Sequence, residues 1–305
     1  MSMIAATDVL GADTVPRINI GGFFSAIVDW IQEYLPALLG FIKAVLKNLD
    51  AGLAAGLNAV PALLMVVILA AIGFLLRGWQ FALFTLIGMI IIVGMRYQGA
   101  SMWSLAMDTL ALVIIAGAIA MIIAVPLGVL AARSEVASKT IKPVMDFMQT
   151  MPAFVYLIPA IFFFSASTTA GIIATIVFAM PPGVRLTELG IRQVDGEMVE
   201  AGHAFGTKPF NILTRIQIPL AMPTIMAGVN QVIMLSLSMV VIGTMVGAGG
   251  LGMPVYEGIT RLDVAVGFEG GVAVVILAIY LDRLTAALGD RSAVAKATKA
   301  AMKAR

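Results

Sequence analysis

Few residues in this chain can do covalent chemistry. His203 is the single histidine and cysteine is absent, which excludes disulfides, thiolate metal sites and cysteine nucleophiles. Neither H-E-x-x-H nor G-x-S-x-G occurs, nor does the phosphate loop G-x-x-x-x-G-K-[ST]. Zinc hydrolysis, serine hydrolysis and ATP hydrolysis by the P-loop route therefore have no support, and any driving energy must come from a partner or an ion gradient. With no second ligand nearby, His203 reads as a packing or solvent-facing residue and no metal site is expected. Gly247 to Gly252 fits G-x-G-x-x-G. That fingerprint works only between a strand and a helix, whereas here it follows an apolar run, so it reads as a turn. Asp108, Asp146, Glu269 and Asp282 lie in or beside apolar segments, where an ionisable group commonly marks an ion path. Each sits near a segment end, so an ion-coupled secondary transporter stands as the alternative reading. Trp103, Phe154, Tyr156 and Phe178 could line a route for a cation without N–H groups, which aromatic faces hold. Interface anchoring and helix packing are the ordinary reading of the same four residues.

The elements that must position these residues follow from composition. Of 305 residues, 61% are hydrophobic and 12% charged, against about 25% charged in soluble domains. Too few polar residues exist to cover a soluble surface of this size, so the bilayer is the solvent. The net charge of +2 implies no nucleic acid. Residues 1–20 do not read as a cleaved signal peptide, lacking a basic start before an apolar core. Residues 23–46 carry polar side chains at intervals of three or four opposite Phe24, Ile27, Ile31, Leu35, Leu38 and Ile42. That pattern predicts an amphipathic interfacial helix within an N-terminal segment, 1–58.

Seven apolar stretches follow, at 59–76, 79–95, 102–132, 144–164, 170–184, 221–246 and 267–288, each approaching or exceeding the ~20 residues that cross a bilayer. The predicted architecture is an all-α membrane protein of about seven transmembrane helices. Two accessory helices occupy 59–101, a five-helix core 102–288, and a basic tail 289–305. With the N-terminus outside and the C-terminus cytoplasmic, 14 of the 19 lysines and arginines lie on the cytoplasmic side, as the positive-inside rule requires.

That topology makes 185–220 the longest cytoplasmic loop between crossings. Asp195 can cap a helix with Glu197 in its first turn, continuing through Glu200, Ala201 and Phe205. Gly206 suits a left-handed C-terminal residue, Pro209 the first turn of a second short helix, and Pro219 is expected to stop that helix at the membrane surface. Ala201 and Gly202 are small enough for another protein's backbone to come close, and Glu200 offers an orienting charge.

The loop reads Glu200-Ala201-Gly202, three residues, Gly206, nine residues, Ile216-Gln217-Ile218-Pro219. It resembles the E-A-A loop of bacterial ABC import permeases, with Gly202 in place of alanine and Ile218 in place of leucine. The runs Asp146 to Tyr156, Pro181 to Thr187, Pro223 to Gln231 and Gly247 to Gly252 look like the glycine betaine/proline betaine branch of that family. The resemblance implies a type I importer core in the bacterial cytoplasmic membrane, working by alternating access. It also implies a homodimer of permease copies, an external substrate-binding protein, and a cytoplasmic P-loop ATPase that binds ATP and magnesium, leaving no cofactor in this chain. Glu197, Glu200, Ala201, Gly202, Phe205, Gly206, Ile216 and Pro219 would then form the ATPase-docking coupling loop.

Overall fold

Apolar runs become helices here, with breaks at Leu35, Gly78 and Met151–Pro152. The computed structural model describes residues 19–290, which fall into two units divided after Ile42. In the first, α1 (Ile20–Tyr34) is capped by Asn19, whose Oδ1 accepts from the Gly22 amide at 2.9 Å. Phe23, Phe24, Ile27, Trp30 and Tyr34 are exposed along it. The single helix expected over 23–46 is broken: the residue before a proline is pushed out of the helical region, so α1 ends at Tyr34, Leu35 leaves the helix, and α2 (Pro36–Ala59) begins at Pro36.

In the second unit, α3 (Ala62–Arg77) and α4 (Trp79–Gly94) are separated by Gly78, whose φ of 92° suits a residue without Cβ. A two-residue hairpin, β1 (Arg96–Tyr97) and β2 (Ala100–Ser101), turns at Gln98 and Gly99, both at positive φ. Then come α5 (Trp103–Arg133), α6 (Glu135–Thr150) and α7 (Leu157–Phe164). The expected crossing at 144–164 is not one straight helix. α6 begins well before it, at Glu135, and the chain bends by 109° at the break before Ala153, where Pro152 forces Met151 into an extended conformation. α8 (Thr168–Arg192) runs unbroken through Pro181 and Pro182.

After the loop helices α9 (Gly196–Ala204) and α10 (Pro209–Ile212) come α11 (Ile218–Gly243), the short α12 (Gly252–Thr260) and α13 (Val264–Asp290). Among the described residues four helices are long and apolar enough to cross a membrane, or up to six if each bent pair is one span; α4 is a shorter apolar helix. The basic tail from residue 291 onward lies outside the described residues.

α8 is the centre of the bundle, with only Leu189 and Arg192 exposed along its length. Small residues let its neighbours approach, as expected where lipid supplies no hydrophobic drive between helices. A Cβ on Gly128 of α5 would lie 2.5 Å from Thr187 Cβ and 2.7 Å from the Val184 carbonyl oxygen. Two buried hydroxyls are satisfied within their own helices: Thr175 donates to the Gly171 carbonyl at 2.7 Å and Ser236 to the Val232 carbonyl at 2.8 Å.

Polar contacts sort the unit into two ends. Asn58 donates to Asp108 at 3.0 Å, Tyr97 to Glu257, and the Leu251 amide to Thr109 at 2.8 Å. At the opposite end Arg77 donates to the Arg283 carbonyl at 3.3 Å, and Arg192 to Glu135 at 2.6 Å. The loop between α8 and α11 belongs to this second, arginine-rich end.

Candidate functional site

The loop is shorter than its sequence outline and more firmly rooted. It was expected from residue 185, but α8 carries its charged residues two turns further, to Arg192, because they find partners on α6. Glu188, with its side chain only 5% exposed, accepts from Ser138 at 2.8 Å and pairs with Arg192 at 2.9 Å and Lys142 at 3.3 Å. Arg185 pairs with Asp146. Arg192 also donates to Glu135 and, at 2.8 Å, to the Ala131 carbonyl, so one guanidinium ties α8 to the end of α5 and the start of α6. A buried carboxylate needs such partners, since an isolated charge out of water is strongly unfavourable.

α9 forms as its sequence predicts. The Asp195 carboxylate accepts from the Glu197 amide at 3.0 Å, and Gly206 takes a φ of 70° at the C-terminal side. Its amide donates to the His203 carbonyl at 2.9 Å, and the Thr207 amide donates to the Gly202 carbonyl at 3.1 Å. Pro209 opens α10. Pro219, expected to stop the second helix, does not: it lies in the first turn of α11, and the helical path continues from Pro209 to Val246. A wider π turn at Leu213–Gln217 precedes it. There the helical hydrogen-bond pattern is already altered, so proline's missing N–H is accommodated.

Among the predicted site residues, Glu197, Glu200, Ala201, Phe205, Gly206 and Pro219 are exposed, Ile216 is half-buried and Gly202 is buried. Gly202 faces the loop's own interior. A Cβ there would meet Ile216 Cδ1 at 3.0 Å and Ile212 Cγ1 at 3.3 Å. Beneath it, Leu213 packs with Ile191 of α8 and with Ala221 and Ile225 of α11, against Val125, Val129 and Ala132 of α5. The loop is thus bolted to three long helices. A cavity of about 280 Å³ lies at this junction, lined by residues including Arg133, Ile191, Val199 and His203.

Its outward side carries large apolar side chains among charged ones such as Glu197, Glu200 and Lys208. Phe205 is 87% exposed and Phe210 66%, with Met198 also exposed. Exposed aromatics flanked by Glu197 and Glu200 are what a protein partner would cover. Phe210 and Met198 were missed in the sequence, although large apolar residues in an otherwise polar loop were the available signal.

Of the four aromatics proposed as a cation route, Phe154 and Tyr156 share one short 3-10 turn, Ala153–Tyr156. Tyr156 and Phe178 meet edge to face with ring centroids 5.7 Å apart, and the Tyr156 hydroxyl donates to the Met148 carbonyl. Trp103 is buried at the start of α5, while Phe154 is exposed. Of the carboxylates flagged near segment ends, Asp282 accepts from Asn230 of α11 at 2.8 Å, and Thr285 donates to the same Asn230 at 2.6 Å.

Comparison with known proteins adds to this geometry. The family described as binding-protein-dependent transport system inner membrane component matches residues 124–293. The glycine betaine transport system permease protein OpuAB of Bacillus subtilis (strain 168) is 44% identical over 276 residues, 90% of this chain and 95% of that one. The glycine betaine/proline betaine transport system permease protein ProW of Escherichia coli (strain K12) is 45% identical over 265 residues, 87% of this chain and 73% of that one. The glycine betaine/carnitine transport permease protein GbuB of Listeria monocytogenes serotype 1/2a (strain 10403S) is 41% identical over 286 residues, 91% and 98% of the two chains. Among solved structures, inward-facing conformations of the MetNI methionine ABC transporter share the fold, with a TM-score of 0.55 and 24% identity over 62% of this chain and 92% of that one.

Proposed function

The chain belongs to the family of binding-protein-dependent transport system inner membrane components, and from that premise we propose that it is the membrane permease subunit of an ATP-driven importer for glycine betaine, proline betaine or a related quaternary ammonium solute. It is an all-α membrane protein with a type I ABC importer core. The substrate class comes from what its relatives transport. The ion-coupled alternative draws no comparable support.

The loop between α8 and α11 would dock a separate cytoplasmic ATPase, which binds ATP and magnesium. The observation that carries this is three exposed large apolar side chains, Phe205, Phe210 and Met198, on a loop whose inner side is packed into α5, α8 and α11. A push on Phe205 would pass through Gly202, Ile212 and Leu213 to Ile191 at the end of α8, and through the π turn to α11. Nucleotide-driven closure of two ATPase subunits on two permease copies would then shift the membrane helices between inward- and outward-open packings, since a ligand shifts a conformational equilibrium by its differential affinity for the two states. The loop would face the cytoplasm and the Tyr97–Glu257 end the outside, where a substrate-binding protein would deliver solute.

The test is reconstitution in liposomes with the ATPase and the binding protein. Uptake of glycine betaine should require ATP and both partners. Uptake by this chain alone on an ion gradient, or no uptake by the full assembly, would overturn the proposal.

A further inference from the structure

The chain displays what its own lipid-facing surfaces look like. Exposed positions on α3 and α4 include Leu64, Val67, Phe74, Leu75, Ile87 and Ile90. α11 is different. Beyond Pro219 at its start, its exposed residues are Ala227, Gln231, Met234 and Ser238, spaced four, three and four apart, with Met245 exposed in the turn that follows. That spacing defines one helical face. It contains no branched aliphatic or aromatic side chain. The opposite face carries the buried Gly228, Val232, Ser236 and Val240, part of the close contact with α8 in which a Cβ on Gly228 would meet Leu186 Cβ at 3.2 Å.

Gln231 lies at the middle of the 26-residue α11, about 20 Å along the axis from Ile218 at 1.5 Å per residue. Its amide makes no hydrogen bond among the described residues. A primary amide facing hydrocarbon without a partner is unfavourable. Ser238 lessens its own exposure by donating to the Met234 carbonyl at 3.2 Å, leaving lone pairs outward. Lipid is therefore the wrong neighbour for this face, while water or a polar solute satisfies it.

We propose that the Ala227–Gln231–Met234–Ser238 face of α11 lines the solute route, with Gln231 donating to the carboxylate of a zwitterionic quaternary ammonium solute and the Met234 thioether, one helical turn away, packing against its methylated nitrogen. The inference rests on the importer reading above and gives it a transit site. A quaternary nitrogen donates no hydrogen bond, so polarisable apolar surface suits it. The carboxylate accepts from an amide N–H. No charged side chain lies on this face, so contact is weak enough for the solute to leave, as transit requires.

The natural absence of cysteine makes the test direct. Gln231→Cys, Ser238→Cys and the lipid-facing control Ile87→Cys are placed in the full complex with ATPase and binding protein, and a charged methanethiosulfonate is applied to both sides. Because only the thiolate reacts and apolar surroundings suppress it, positions 231 and 238 should label at least about tenfold faster than 87. Saturating glycine betaine should slow labelling at 231. Labelling at 231 no faster than at 87 overturns the proposal, including the case in which the thiol of the Gln231→Cys variant cross-links to a second copy across a dry seam. Fast labelling that glycine betaine does not slow also overturns it, because the solute then does not pass this face. Met234→Cys reports on the same face if the Gln231 variant fails to assemble. ATP-driven uptake by the cysteine-free parent is measured in the same vesicles. Its failure would undo the importer reading, whereas the labelling contrast is read without transport.

Discussion

Replacing Phe205 by alanine should separate docking from folding. The ring is 87% exposed in the free chain, so truncation removes almost no internal packing and should leave thermal stability unchanged. If the ATPase covers this ring, nearly all of a phenylalanine's transfer free energy becomes available on association. Full burial of such a side chain contributes roughly 1.5–3 kcal/mol, and allowing for the fraction already covered leaves about 1.5–2.5 kcal/mol, a loss of about tenfold to seventyfold in affinity. Phe205→Leu should retain most of it, because the contact is apolar rather than specific to a ring. The assay is titration of the purified ATPase against the chain in lipid nanodiscs, with the melting temperature of each variant measured alongside. An affinity changed by less than about twofold, or one lost equally in the leucine and alanine variants, would refute docking through burial of this side chain. So would a large fall in melting temperature, since Phe205 would then be holding the loop together.

Other substitutions probe the scaffold. Glu188→Gln keeps the shape but removes the charge facing Arg192 and Lys142; because Arg192 keeps Glu135 and Lys142 reaches water, destabilisation should be about 1–3 kcal/mol, below the full range for a stranded buried ion, and thermal melting reads it. Gly128→Ala places a Cβ 2.7 Å from the Val184 carbonyl oxygen, so α5 must move off α8, and the melting temperature should fall by the equivalent of about 1–3 kcal/mol. At the other end of the bundle, hydrogen bonding from Tyr97, opposed in part by desolvation and aided by Gln98 and Arg261, holds the Glu257 carboxyl below its ordinary value of 4.5. A lowered folded value means that this clamp stabilises at neutral pH and that its contribution is lost as pH falls below 4.5 through the folded value. Melting temperatures between about pH 6 and pH 3 should therefore fall more for the parent than for Glu257→Gln, and parallel curves would remove the clamp's role.

The sequence made apolar segments and loop caps readable because both are local. A run such as 102–132 declares a span by composition, and Asp195, Glu197, Gly206 and Pro209 each sit where helix-end chemistry places them. Boundaries failed where a distant partner decided them. Arg185, Glu188 and Arg192 look like the start of a loop until Asp146, Lys142 and Ser138 of α6 pair with them. Segment 144–164 passes as one span because summed hydropathy is blind to the bend that Pro152 imposes. Gly202 reads as an opening for a partner, yet Ile212 and Ile216 lie against it. Gln231 was invisible for a different reason. One glutamine in an apolar run looks incidental until the structure shows that its face turns away from α8.

That same orientation connects the two ends of the proposed mechanism. α8 enters the loop and α11 leaves it, and the two helices share the cluster of Ile191, Leu213, Ala221 and Ile225 at the loop's base. Displacement of Leu213 therefore cannot move one helix and spare the other without opening this cluster, which costs about as much as a large-to-small core substitution. α8 and α11 should travel together, and the exposed face bearing Gln231 would travel with them. If Leu213→Ala loosens this joint, ATP hydrolysis by the docked ATPase should persist while solute uptake per ATP falls. Equal loss of both would place Leu213 in docking rather than in transmission.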